Sequence, residues 1–184
     1  MPSLPSVTLD YDRRQRGEVF LDEEQVWDGR RYAMSIRLAD EPPPPAHVSA
    51  AHCIAFDGED VVLVRHVTRE WTIPGGRLEP GESSLQCVRR ETREEAGIEI
   101  ADERLVAINR IEMLDEAPAD WPYPFPAYQV FYVARVTGWG EITAVDECTE
   151  ARRFPVVDAL AAPGWTQQNP AFAAALFRLR PSSS

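Results

Sequence analysis

Three glutamates, Glu91, Glu94 and Glu95, stand at i, i+3 and i+4 within the stretch Gly76 to Ile98, GRLEPGESSLQCVRRETREEAGI. On a helix that spacing gathers the three carboxylates into one narrow sector. The sector lies at the C-terminal end, where the helix dipole is also negative, so the charges oppose folding unless a cation joins them. A hard divalent ion with oxygen ligands, Mg²⁺ first, relieves the conflict. Taken alone, Glu-x-x-Glu-Glu is more often a solvated helix face than a metal site. Its neighbours change that balance.

The helix that must carry these groups has clear signals at both ends. Ser83 with Gln86 forms a capping-box start, and Gly97 is a natural left-handed stop. Leu85, Val88, Thr92 and Ala96 recur at spacings that predict a core-facing side. Ahead of the helix runs a glycine turn after Trp71-Thr72-Ile73-Pro74-Gly75.

Gly76, Glu82, Arg90-Glu91, Glu94-Glu95 and Gly97-Ile98 together form one fixed-spacing array. It resembles the Nudix box, Gly-x5-Glu-x7-Arg-Glu-U-x-Glu-Glu-x-Gly-U with U apolar, and departs only at Thr92, where a larger aliphatic is usual. The resemblance implies an α/β/α sandwich and hydrolysis of a diphosphate bond by metal-activated water. Glu91, Glu94 and Glu95 would then be the principal ligands of Mg²⁺, with Mn²⁺ able to substitute. Glu82 would support them directly or through water, and the Gly76 carbonyl would add a backbone oxygen. Arg90, within side-chain reach of Glu94, reads as the partner that orients the carboxylates. Glu79, in the glycine turn, is either a supporting acid or a turn former. The acidic segment Asp146-Glu147-Cys148-Thr149-Glu150 resembles the place where several family members carry a further metal-binding or base glutamate. Glu147 and Glu150 are therefore the candidates for the general base.

The array cannot choose a substrate. Trp121, Tyr123 and Phe125, set among prolines in the segment Asp115 to Pro126, offer a stacking wall for a base, or else a stiff loop packed on its own domain. Pro122 to Pro126, PYPFP, resembles the PWPFP core found in NADH-hydrolysing members. It departs in the preceding residues, in its distance from the box and in lacking zinc cysteines. The expected reaction is hydrolysis of a nucleoside diphosphate linked to another moiety, a dinucleotide such as NADH included. The alternative is a non-catalytic module that senses such a nucleotide or metabolite.

Composition bounds the partners. A net charge of −11 argues against a duplex nucleic-acid surface, though not against a polyphosphate that arrives with metal. All 19 basic residues are arginine, for most of which coding bias suffices. Cys53, Cys87 and Cys148 are isolated in sequence and lack zinc-site spacing. His47, His52 and His66 read as strand or loop residues. No apolar run reaches membrane-span length and the N-terminus lacks a secretory pattern, so a cytoplasmic location is expected.

The predicted fold is α+β, a mixed sheet between helices. Strands are expected at Val48 to Phe56, Val61 to His66, Arg104 to Leu114, Ala127 to Val136 and Arg152 to Phe154. Short helices follow from Val156 and from Pro170. This domain spans 47–181, and 182–184 is a tail. Residues 1–46 form an extension with two short strands, Val19 to Leu21 and Tyr32 to Leu38, ahead of the Pro42 to Pro45 spacer. Too small to fold alone, it is expected to add to the main sheet or to cross to a second subunit, and a homodimer through residues 19–38 is the expectation.

Overall fold

The computed structural model describes residues 17–27, 29–116, 124–168 and 170–181. Its nine strands are β1 (Val19–Trp27), β2 (Arg30–Leu38), β3 (Val48–Asp57), β4 (Asp60–His66), β5 (Glu70–Thr72), β6 (Gly75–Arg77), β7 (Ile98–Met113), β8 (Ala127–Trp139) and β9 (Cys148–Pro155). Helix α1 (Ser84–Ala96) follows β6, and α2 (Val156–Ala161), α3 (Trp165–Gln168) and α4 (Pro170–Leu176) close the chain. One sheet holds all the strands in the order β1-β2-β7-β8-β3-β4-β5, with β6 on β3 and β9 on β4. It is mixed: β3 and β8 run parallel, and the other pairings are antiparallel.

Period-two alternation along the central strands builds two cores. Cys53, Ala55, Val62, Val64, Val130 and Tyr132 face Cys87 and Val88 of α1. Ile54, Phe56, Val61, Leu63, Phe131 and Val133 face Ala159, Phe172 and Leu176 on the opposite side. The expected α+β sandwich is what forms.

The N-terminal strands are longer than composition suggests. Asp22 to Gln25 is a poor strand former, yet each residue is paired with β2, so tertiary pairing overrides propensity. β2 in turn pairs with β7 from Tyr32↔Met113 to Leu38↔Ala107, and the extension thus adds to this chain's own sheet. Tyr32, Met34, Ile111 and Met113 make a small third cluster there, with Leu21 and Phe125 packed against it.

The site depends on an exchange of partners along one edge of β3. Ala55 to Asp57 pair with β4, whereas Ala50 to His52 pair with β6. β6 belongs to what sequence reads as a glycine turn. It can lie there because a Cβ on Gly75 would strike the Ala51 carbonyl and His52.

Met34, only 6% exposed, tests the hairpin's share in the fold. Met34→Ala should lower unfolding free energy by about 2–5 kcal/mol in urea titration. An unchanged midpoint would mean that the hairpin does not unfold with the rest.

Candidate active site

α1 begins and ends where its caps dictate. The Ser83 hydroxyl accepts from the Gln86 amide, Gln86 answers to the Ser83 backbone, and Gly97 closes the helix in the left-handed region at φ 63°. The buried face keeps the expected Val88, Thr92 and Ala96 and departs at one residue. Leu85 is 40% exposed, and the stripe that enters the sheet is Cys87, Val88, Glu91, Thr92, Glu95 and Ala96. This is a two-row stripe, and it includes two of the three glutamates. Thr92 fits an apolar position because its hydroxyl donates to the Arg89 carbonyl at 3.2 Å.

Glu91 and Glu95 are buried, 9% and 2% exposed, while the Glu94 side chain remains 42% exposed. Gly76 makes room for Glu91: a Cβ there would collide with that carboxylate. Arg90 ties the cluster together. Its guanidinium donates to both Glu82 oxygens at 2.9 and 3.0 Å, to Glu91 Oε1 at 2.9 Å, to Glu94 Oε2 at 3.1 Å and to the Arg77 carbonyl at 3.1 Å. Those bonds hold Glu82 below the usual carboxylate range and raise Arg90.

Glu95 is outside this network. Its Oε2 accepts from the Gly75 amide at 2.8 Å. Burial outweighs that bond and pushes the carboxyl from 4.5 up to about 7. Burial also raises Glu91, against the pull of Arg90. Both carboxylates border a cleft of about 640 Å³, with Gly75, Gly76, Arg69 and Glu147 among its other walls.

Glu147 reaches the cleft through the far end of α1. The Thr143 and Ala144 amides donate to the Glu94 carbonyl, each at 2.9 Å, and the Glu147 amide to Ala144. The Glu147 carbonyl in turn accepts from Val67, at 2.9 Å. The last helical turn, otherwise short of donors, thus fixes the loop. Glu150, three residues on, behaves differently. It lies within β9, binds Arg152 at 2.6 Å and does not line the cleft.

A metal would find an all-oxygen donor set, suited to a hard cation. Glu91 and Glu94 are anchored through one oxygen each. Among the described residues no three His, Cys, Asp or Glu side chains stand gathered at ligand spacing, because Glu82, Glu91 and Glu94 converge on Arg90 instead. Glu82, with both oxygens on Arg90 and Oε2 also on the Glu79 amide at 2.9 Å, orients the cluster. Glu79 itself borders the cleft.

Of the aromatic segment, Trp121 and Tyr123 lie outside the described residues. Phe125 packs on the third core cluster and is not among the cleft-lining residues. Sequence reasoning missed His52, Arg69 and Gln129, which all line the cleft. His52 stacks on Phe131, 5.1 Å between centroids, and is held neutral, lowered to about 4 by burial and then by Arg69. One signal was available: His52 and Gln129 are polar interruptions in otherwise apolar strands.

Comparison with known proteins agrees with this geometry. The NUDIX domain model matches residues 46–175. Human 8-oxo-dGDP phosphatase NUDT18 is 32% identical over 80 residues, 38% of this chain and 25% of that protein. NAD-capped RNA hydrolase NudC of Pseudomonas aeruginosa is 31% identical over 106 residues, 56% of this chain and 34% of that protein. The chain thus spans about a quarter to a third of these curated relatives. Among solved structures, the pyrophosphohydrolase BsRppH from Bacillus subtilis aligns with TM-score 0.53 at 18% identity, over 66% of this chain and 72% of that one. A NUDIX hydrolase from Nitrosomonas europaea aligns with TM-score 0.52 at 20% identity, over 73% and 92%. These two share the fold. With a family model covering most of its length and Gly76, Arg90, Glu91 and Glu95 of the array lining the cleft, the chain belongs to the NUDIX family.

Proposed function

We propose that this chain hydrolyses the diphosphate bond of a nucleoside diphosphate linked to a further group, with a divalent cation bound at Glu91, Glu94, Glu95 and the Gly76 carbonyl. The burial of Glu91 and Glu95 in an oxygen-lined cleft carries this reading. Two carboxylates gain nothing from burial by packing, and a cation offsets the cost. Mg²⁺, or Mn²⁺ in its place, would neutralise charge on the diphosphate oxygens and make a bound water more acidic. Arg90 and Glu82 hold Glu91 and Glu94 in register, as an outer layer does for metal ligands. Glu147 accepts the proton of the attacking water, and Glu150 serves the strand. Arg69, at the rim, offers the phosphates a cation.

Relatives support the substrate class in their names, which include an 8-oxo-dGDP phosphatase and an NAD-capped RNA hydrolase. A dinucleotide pyrophosphatase acting on a compound such as NADH is the alternative within the same enzyme class, on the strength of the second name and the PYPFP segment. A non-catalytic sensing module is the contrasting reading. Nucleotide release from a panel of ADP-ribose, NADH and nucleoside diphosphates with Mg²⁺ or Mn²⁺ separates the two: retained binding with no product from any compound would favour the sensor.

We also infer a homodimer formed along β1. Among the described residues β1 is the terminal strand of the sheet, and its Val19 and Val26 are 49% and 66% exposed. An open strand edge with exposed valines invites a second strand. Light scattering should give a dimer for the full chain and a monomer for Val26→Glu, and a monomeric full chain ends the idea.

Glu94→Gln and Glu95→Gln should each lower kcat by roughly 100-fold or more, beyond the usual loss for an outer-layer partner. Metal-free Glu95→Gln should also change the pH dependence of folding. The folded pKa, about 7, lies above the ordinary 4.5. The folded state therefore holds the extra proton across that window, and stability falls as pH rises through it. Chemical denaturation from acid to neutral pH should show a shallower fall in the variant, with Glu91 supplying the remainder. An identical slope would place Glu95 in a solvated setting.

Glu147→Gln should depress kcat and flatten the acid limb of its pH profile, whereas Glu150→Gln should leave both near wild type. The reverse pattern would move the base to β9.

A further inference from the structure

Asn109 is a polar side chain in a place built for an apolar one. It is 4% exposed on β7, between Ile108 and Ile111 of the core clusters. Its Nδ2 donates to Gln129 Oε1 at 3.1 Å, and its Oδ1 is buried with no partner among the described residues. A buried acceptor left unpaired costs about 1–3 kcal/mol, so stability alone does not account for asparagine here. Its side-chain amide thus bonds a residue on the cleft wall.

That bond decides what Gln129 offers. With Oε1 turned toward Asn109, the Nε2 group keeps its two N–H donors for a ligand. Ala50 and His52 are the uncharged cleft residues on the neighbouring strand β3, and Arg77 of β6 flanks Ala50 on its other side. Ala50 lies opposite Gln129 in the β3–β8 register and leaves a shallow space. His52, the next cleft residue along β3, presents a flat imidazole stacked on Phe131. The carboxylates and Arg69 line the same cleft with Gly75 and Gly76. One part suits a metal-bound diphosphate, and the other a flat neutral group with a hydrogen-bond acceptor.

We propose that Gln129, positioned by Asn109, is a specificity-determining residue that donates from Nε2 to a carbonyl oxygen of the substrate's nucleobase. The proposal rests on the diphosphate-hydrolase reading and narrows it: the C6 carbonyl of guanine or C4 carbonyl of uracil binds in preference to the amino group at the same ring position of adenine or cytosine. A glutamate at 129 has no donor when ionised, so the preference inverts. Asn109 acts only through Gln129.

The test is calorimetric binding of GDP and ADP, each with Mg²⁺, to the full chain and its variants, with turnover of GDP- and ADP-linked compounds measured alongside. Wild type should bind GDP roughly tenfold tighter than ADP, the worth of one hydrogen bond, and Gln129→Glu should reverse the order. Asn109→Leu should keep or raise Tm, because the orphaned acceptor is gone, yet shrink the GDP-to-ADP ratio. A purely structural asparagine would move Tm and leave that ratio alone. An equal affinity in wild type, an ADP preference, no binding of either nucleotide, or a ratio unmoved by Gln129→Glu would each overturn the proposal. A ratio that inverts without any turnover would uphold it while removing the hydrolase reading.

Discussion

Five hydrogen bonds to oxygen from one guanidinium set the terms for this site. Arg90 satisfies Glu82 with a bidentate pair, takes one oxygen each from Glu91 and Glu94, and reaches the Arg77 carbonyl. Exposed ion pairs contribute little, but this side chain is 22% exposed, and each bond removes a rotational choice from a carboxylate. The effect on the cluster is asymmetric. Three glutamates share a positive charge, and Glu95 is left with a backbone amide. Burial then has the larger say at Glu95, which is why its proton affinity rises while that of Glu82 falls.

Everything else in the fold keeps that arrangement in reach of a cleft. The partner exchange on β3 lets β6 slide beneath α1, and two glycines allow backbone where side chains would collide. The loop at 143–144 ends the helix and delivers Glu147 in the same stroke. Arg90, Glu91, Glu94 and Glu95 thereby share one helix, α1.

The array from Gly76 to Ile98 and both helix caps were legible because they depend on local chemistry: a hydroxyl and an amide three residues apart, a glycine at positive φ. Which glutamates are buried was not. Helical spacing names a face only to within about a residue, and the sheet selected Cys87 over Leu85. Glu147 and Glu150 look equivalent in sequence, but β9 starts between them at Cys148 and turns one into a strand residue. The glycine turn concealed β6 because its pairing is with distant β3. Asn109, Gln129 and His52 are single polar letters in apolar strands, and their meaning appears only when three strands lie side by side.

The three thiols offer a different kind of consequence. Cys87 on α1, Cys53 on β3 and Cys148 on β9 are each 0% exposed within the core that joins the helix to the sheet. Burial pushes Cys87 and Cys148 up to about 12 and raises Cys53 further, so none presents a thiolate at neutral pH. A thiol reagent can act only when that interface opens. The rate at which each sulfur is alkylated therefore reads local opening directly, and the chain carries its own three-point gauge of how tightly the helix bearing the glutamates is seated.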